Sequence, residues 1–199
     1  MLLDGADPTD PKTVLLDKIE RQTFRAAKIV NGLLALSRPG TPGGERQELD
    51  LNVVITDVVS LLEHQFEVGR IKLRRELSED PVSVLGIEHQ LQQVFLNLFL
   101  NARDAMTDGG ALRIRTESMD SKIEITVQDT GTGINRENIK KIYDPFFTTK
   151  AVGKGTGLGL AVSYGIVQEH GGNISVESKV GQGTAFKLEL PLVRKTVHV

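Results

Sequence analysis

Apolar residues recur along this chain with two different periods. Leu16, Ile19, Thr23, Ala26, Val30, Leu33 and Ser37 step by three and four, which predicts a helix from about Lys12 with a coiled-coil or bundle seam. Thr23, Ala26 and Ser37 are small or polar, so one copy buries too little to stand without partners. An amphipathic helix packed on its own domain would show the same spacing. Ser37-Arg38-Pro39-Gly40-Thr41-Pro42-Gly43-Gly44 then breaks the helix and predicts a linker. Beyond it, Glu48 to Leu51 reads as a short strand and Asn52 as an N-cap. Ile55, Val58, Val59, Leu62 and Phe66 follow at helical spacing. Ile71 to Leu77 and Val82 to Leu85 are strand-like. Ile87 to Met106 predicts a long helix with Leu91, Val94, Phe95, Leu98 and Ala102 on its buried stripe. Ala111 to Ser118 and Lys122 to Asp129 alternate as a hairpin pair after the turn at Asp108-Gly109-Gly110. Leu158 to Gln168 predicts another helix, ended by His170-Gly171-Gly172. Asn173 to Ser178 and Thr184 to Leu190 predict a last antiparallel pair. Regular βαβ alternation is missing, so the expected class is α+β. The expected architecture is a two-layer α/β sandwich, one mostly antiparallel sheet with helices on one face, preceded by a single long helix.

Totals add a few exclusions. A chain of 199 residues that is 39% hydrophobic has enough apolar content for a domain core plus an appendage. A net charge of −2 argues against non-specific nucleic-acid binding. No apolar run approaches the ~20 residues of a membrane span, so no membrane contact is expected. The absence of cysteine removes disulfides and thiolate metal sites and suits a cytoplasmic setting.

Three stretches carry candidate chemistry. Gly153, Gly155, Gly157 and Gly159 precede the helix from Leu158, bringing bare N–H groups to a helix N-terminus, where anions bind. A flexible surface loop could have the same composition. A Rossmann fingerprint would need glycine where Leu160 stands, and a Walker loop would need Gly-Lys-Ser/Thr where the helix opens with Gly-Leu-Gly. On the long helix, Asn97, Asn101 and Asp104 are spaced by four and three, which aligns three polar groups beside the apolar stripe. An asparagine carbonyl facing phosphates suits a hard Mg²⁺ ion, although a solvated helix face would look alike. Asp129 ends a strand and leads into Thr130-Gly131-Thr132-Gly133. A carboxylate there can accept a hydrogen bond from the exocyclic amine of adenine, while guanine would present an acceptor instead. Read alone, Asp-Thr-Gly is also a plain turn.

Taken in order, the asparagine helix, D-T-G-T-G, Asp144-Pro145-Phe146-Phe147-Thr148-Thr149-Lys150, G-K-G-T-G-L-G-L and Gly181-Gln182-Gly183-Thr184 resemble one family. It is the catalytic ATP-binding domain of sensor histidine kinases, within the Bergerat-fold ATPases that include gyrase, mismatch-repair and heat-shock chaperone members. The resemblance spans Leu49 to Pro191 and implies ATP and Mg²⁺ as cofactors. It implies that Asn101 binds Mg²⁺, with Asn97 and Asp104 beside it, and that Asp129 holds adenine, with Gly131 and Gly133 lining the base. Phe146 and Phe147 would hinge a mobile lid, Gly155, Gly157 and Gly159 would face phosphates, and Thr184 would close the far side of the base pocket. Ala105, Ile134, Thr156, Leu158 and Leu160 complete the implied ATP site. Lys150 and Lys154 are the candidate phosphate charges, and Asn97, Asn101 and Lys150 the candidate catalytic groups. ATP-hydrolysing relatives carry a water-activating glutamate four residues before the metal asparagine, where this chain has Asn97. An amide cannot take that proton, so phosphotransfer is expected rather than hydrolysis.

The acceptor in that family is a histidine in an H-E or H-D motif on the first helix of a dimerising hairpin. His64, His89, His170 and His198 are the only histidines here, and none is followed by an acid. Residues 12–38 resemble the second hairpin helix, so the chain is expected to begin after the acceptor helix and not to phosphorylate itself. Residues 1–38 then form the partial hairpin, 39–47 the linker, 48–193 the catalytic domain and 194–199 a tail. The implied partners are a response-regulator receiver domain and the parent's own hairpin in a homodimer. A nucleotide-gated protein-binding clamp and a related serine kinase are the alternatives; Asn97 and the helix before Pro39 weigh against them.

Overall fold

Strand alternation and helical spacing resolve into the order β1 (Gln47–Asp50), α1 (Leu51–Val68), β2 (Ile71–Glu76), β3 (Ser83–Gly86), α2 (Glu88–Ala105), β4 (Gly110–Met119), β5 (Lys122–Asp129), α3 (Arg136–Ile139), α4 (Gly159–Glu169), β6 (Asn173–Lys179) and β7 (Gly183–Pro191). This is a computed structural model. It describes residues 45–80, 82–151 and 155–193, together with Asp10, Lys12, Thr13 and Leu15. Contacts divide the chain into two units, Met1–Thr41 and Pro42–Val199. In the first, Lys12 and Thr13 are helical and the Lys12 N–H donates to Asp10 Oδ1 at 2.8 Å, a side-chain cap. The expected seam from Leu16 to Ser37, the linker up to Gly44, Lys154 and the tail lie outside the described residues.

The second unit is a two-layer sandwich. Its main sheet has the order β2-β4-β5-β7-β6, antiparallel except for the parallel pair β2 and β4. Leu112 and Ile114 on β4, Ile123, Ile125 and Val127 on β5, and Phe186, Leu188 and Leu190 on β7 alternate inward. They share one core with Phe66 of α1, Phe95, Leu98 and Phe99 of α2, and Val162 and Val167 of α4. Phe95 and Phe99 stack with ring centroids 6.1 Å apart, and burying one such ring contributes roughly 1.5–3 kcal/mol. The opposite face presents Arg113, Arg115, Thr126, Gln128 and Lys187, as an alternating strand requires when one face meets water.

Two expectations are corrected. The strand-like run at 82–85 does not join the main sheet: β3 pairs antiparallel with β1 in a separate two-stranded sheet, and meets the residues just after β7 through the Val84–Leu192 bridge and the Val193 N–H donated to Ser83 O at 2.9 Å. The cap of α1 is Asp50, not Asn52, because Asp50 Oδ1 accepts the Asn52 N–H at 2.9 Å. Asn52 instead stitches tertiary structure. Its Nδ2 donates to Ser78 O at 2.9 Å, and its Oδ1 accepts from the buried Thr116 hydroxyl at 3.0 Å.

His170 fastens the end of α4 to the start of α2. It is buried, its Nδ1 lies 2.7 Å from Ile166 O, and its Nε2 accepts the Ile87 N–H at 3.1 Å. Only the neutral ring with its proton on Nδ1 serves both contacts. Burial pushes its pKa below the ordinary 6.5 and the Arg46 charge adds to this, although the Ile166 carbonyl favours the charged ring. A lowered base makes the unfolded chain bind more protons, so stability is full above the ordinary value and is lost as pH falls below it. Urea unfolding at about pH 7.5 and about pH 5.5 should therefore show an acid loss that shrinks in His170→Gln. An undiminished loss in that variant would remove His170 from this role.

Candidate functional site

The site is built along α2 and the ends of β5 and β7. Antiparallel register places Asp129 opposite Leu112, one step beyond the Gln128–Ala185 pair, so it emerges where β7 begins. The side chain is buried, and Oδ1 accepts the N–H groups of Gly131 at 2.8 Å and Thr184 at 3.2 Å. Oδ2 has no protein partner among the described residues. Burial pushes the carboxyl above the usual range, and the two N–H donors offset this only in part.

The turn after Asp129 is clamped from both sides. Thr132 N–H donates to Ala105 O at 3.0 Å, and Gly181 N–H donates to Thr132 O at 2.8 Å. A Cβ on Gly131 would lie 2.5 Å from Ala105 O, and one on Gly133 would lie 2.2 Å from Lys179 O. These glycines therefore let backbone cross backbone at both positions. Ala105, an expected nucleotide contact, is the residue beneath this crossing. Ser178 was not foreseen. Its hydroxyl donates to Gly183 O at 2.9 Å and accepts the Ile134 N–H at 2.8 Å. With its one proton used, it accepts from the Thr184 hydroxyl, also at 2.9 Å. A lone serine in a strand carries no sequence signal for that role.

The last turns of α2 also bring together Asn101, Asp104 and Lys150. Lys150 Nζ donates to Asp104 Oδ2 at 2.6 Å and Asn101 Oδ1 at 3.3 Å, so a lysine more than forty residues further along the chain meets two neighbours on one helix face. Partial burial opposes ionisation of Asp104, but Lys150 and Arg103 outweigh it and hold the carboxyl below the usual range. Arg103 and Gln65, which touches it, were likewise not foreseen. Asn97 departs from the expected polar line. It is buried, and its Nδ2 donates to Gly159 O at 3.1 Å and Ser163 Oγ at 3.3 Å. The amide thus pins the first turn of α4, whose N-terminus has no side-chain cap and so keeps free N–H donors.

Between these anchors runs the segment from Asp144. Phe147 is half-buried against the core, whereas Phe146 is 64% exposed with φ 68°. Gly157, at φ 67°, crosses it so closely that a Cβ would lie 2.2 Å from the Phe146 carbonyl carbon. Leu158 is buried and its N–H donates to Thr156 Oγ1 at 3.3 Å, while Gly155 and Leu160 are half-buried.

An asparagine-bearing helix, an anchored aspartate at a strand end and a glycine crossing before a second helix together define a nucleotide-binding two-layer domain. Residues 86–194 match the family described as histidine kinase-, DNA gyrase B-, and HSP90-like ATPase, and the chain belongs to it. Sensor kinase CckA of Brucella abortus is 40% identical over 96% of this chain and 22% of its own length. Sensor histidine kinase ZraS of Escherichia coli K12 is 35% identical over 89% of this chain and 37% of its own length. The chain thus spans well under half of either relative. The solved catalytic domain of histidine kinase ThkA superposes with TM-score 0.69 at 34% identity, covering 76% of this chain and 100% of that one. ThkA has also been solved in complex with the response regulator protein TrrA, with TM-score 0.73 at 29% identity over 94% of this chain and 53% of that one. Sequence and fold both place the chain with the ATP-binding catalytic domains of sensor histidine kinases.

The Gly157 crossing should not survive a side chain. Gly157→Ala adds a clash and a left-handed alanine, about 1–2 kcal/mol for the backbone alone. Because the segment is peripheral, it should yield before the core does. Faster tryptic cleavage at Lys150 with a nearly unchanged melting temperature is expected; wild-type cleavage would contradict the crossing.

Proposed function

We propose that the whole protein binds Mg·ATP at this site and transfers the γ-phosphoryl group to a histidine on a dimerising helical hairpin, from which a response-regulator receiver domain takes it. The observation that carries the choice of transfer over hydrolysis is Asn97. Its amide donates into α4, and an amide accepts no proton at neutral pH. Asp104 is a poor base as well, since its neighbours keep it ionised and weakly basic. Water near the γ-phosphate would then find no general base in Asn97 or Asp104, and a histidine nitrogen, already nucleophilic, needs little help.

Asp129 would accept the adenine amine through Oδ2 while its Oδ1 stays tied to the backbone. Lys150 and the free N–H groups opening α4 would take phosphate charge, and Lys154 is a further candidate for it. Asn101 Oδ1 and Asp104 Oδ2 already share one cation, the Lys150 ammonium. Asn101 Oδ1, a hard oxygen, would be the protein ligand to Mg²⁺, which commonly takes few protein ligands and completes its shell with phosphates and water. The ion, when bound, neutralises phosphate charge. Positioning and fixed electrostatics supply the rest, and one oriented donor is worth roughly 3 kcal/mol in such transition states. The ammonium and the amides are in place before phosphate arrives, so little reorganisation is needed.

The test is transfer of label from γ-labelled Mg·ATP, with this chain alone and with a separately made hairpin carrying an acceptor histidine. Acid-labile label on the hairpin, little on the chain alone, and little free phosphate are expected. Steady phosphate release without labelled protein would mean an ATPase and would overturn the role given to Asn97.

A further inference from the structure

Asp104 occupies an unfavourable place. It stands in the last turn of α2, where the negative end of the helix dipole opposes a carboxylate. Arg103, the residue before it, would not ordinarily meet it, because consecutive side chains on a helix diverge. Yet Arg103 folds across it, with Nε and Nη2 donating to Asp104 Oδ1 at 3.0 and 2.6 Å. The guanidinium is aimed from a second helix, since Nη1 donates to Gln65 Oε1 on α1. Both contacts fall on Oδ1, which leaves Oδ2 to Lys150 Nζ at 2.6 Å, and the same ammonium reaches Asn101 Oδ1.

Each of these charged side chains is about one-third exposed: 33% for Arg103, 30% for Asp104 and 34% for Lys150. Pairs that exposed add little to stability, so the arrangement is better explained by orientation. A rigid guanidinium with a third donor tied elsewhere fixes the direction of a carboxylate in a way a point charge cannot.

We propose that Arg103, held by Gln65, is a positioning residue. It fixes Asp104 so that the carboxylate draws Lys150 out of the segment after Phe147 and keeps the ammonium beside Asn101, ready for the outermost phosphate of a nucleoside triphosphate. Arg103 itself touches no nucleotide and acts through Asp104 and Lys150. The inference rests on the nucleotide-binding reading above and gives a role to an unspecified position of the asparagine-helix motif.

The test measures ATP and ADP affinities by calorimetry on the whole chain, for wild type, Arg103→Ala, Gln65→Ala, Lys150→Met and the Arg103→Ala/Lys150→Met double variant. Arg103→Ala should weaken ATP about fivefold more than ADP, and Gln65→Ala should shift the ratio the same way by less. In the Lys150→Met background, Arg103→Ala should shift the ATP-to-ADP ratio no further, with melting temperatures close to their parents. Equal losses for the two nucleotides, or additive effects in the double variant, would overturn the positioning role. Should Arg103→Ala fail to fold, Gln65→Ala decides by the same ratio. Wild type that binds neither nucleotide would sink the nucleotide reading and this inference together, whereas normal binding with an unmoved ratio would sink this inference alone.

Discussion

The carboxylate of Asp129 is the constraint around which the site end of the domain is arranged. Burying an anion is costly unless the fold supplies donors. Here two backbone N–H groups, from Gly131 and Thr184, meet one of its oxygens. That geometry locks the end of β5, the turn after it and the beginning of β7 together. The donors do not fully compensate the burial, since the carboxyl remains above its usual range. One oxygen therefore serves the fold, and the other meets no protein donor among the described residues. A surface turn would have no reason to bury the group.

From this anchor, α2 acts as the bar that joins the turn after Asp129 to the start of α4. Its last residue, Ala105, receives the turn after Asp129, and Asn97 holds the first turn of α4. Between them, Asn101 and Asp104 gather Lys150 from the intervening segment. Lys150 before that stretch and Gly159 after it are thus both tied to α2, and Gly157 crosses the Phe146 backbone. His170 ties α4 to the start of α2 from the far side, so the two helices flanking the site are fastened at both ends.

Much of this was legible in the sequence wherever the informative residues lie close together in the chain. N-x₃-N-x₂-D shows one helix face and D-T-G-T-G shows a strand end running into a turn, because each pattern is local. What escaped depended on partners far away in sequence. Asn97 turns inward because Ser163 and Gly159 meet it, which helical spacing alone cannot reveal. Ser178 gains its importance only when Ile134, Gly183 and Thr184 converge on it. The link from Arg103 to Gln65 crosses two helices. Strand pairing has the same character: the run at 82–85 was recognisable as extended, but its choice of β1 over the main sheet depends on tertiary packing. The misread cap at Asn52 has a smaller cause, since Asp50 lies two residues earlier and offers the same chemistry.

The central claim is that the unpartnered oxygen of Asp129 selects adenine. It is tested most directly by measuring, under the same conditions, the affinities of the chain for ATP and GTP, and repeating the pair with Asp129→Asn. Guanine would set its own acceptor against the buried carboxylate, so ATP should bind at least about a hundredfold tighter, a preference that collapses in the variant. Equal affinity for the two nucleotides in the wild-type chain, or a preference for ATP that persists without the carboxylate, would contradict the account.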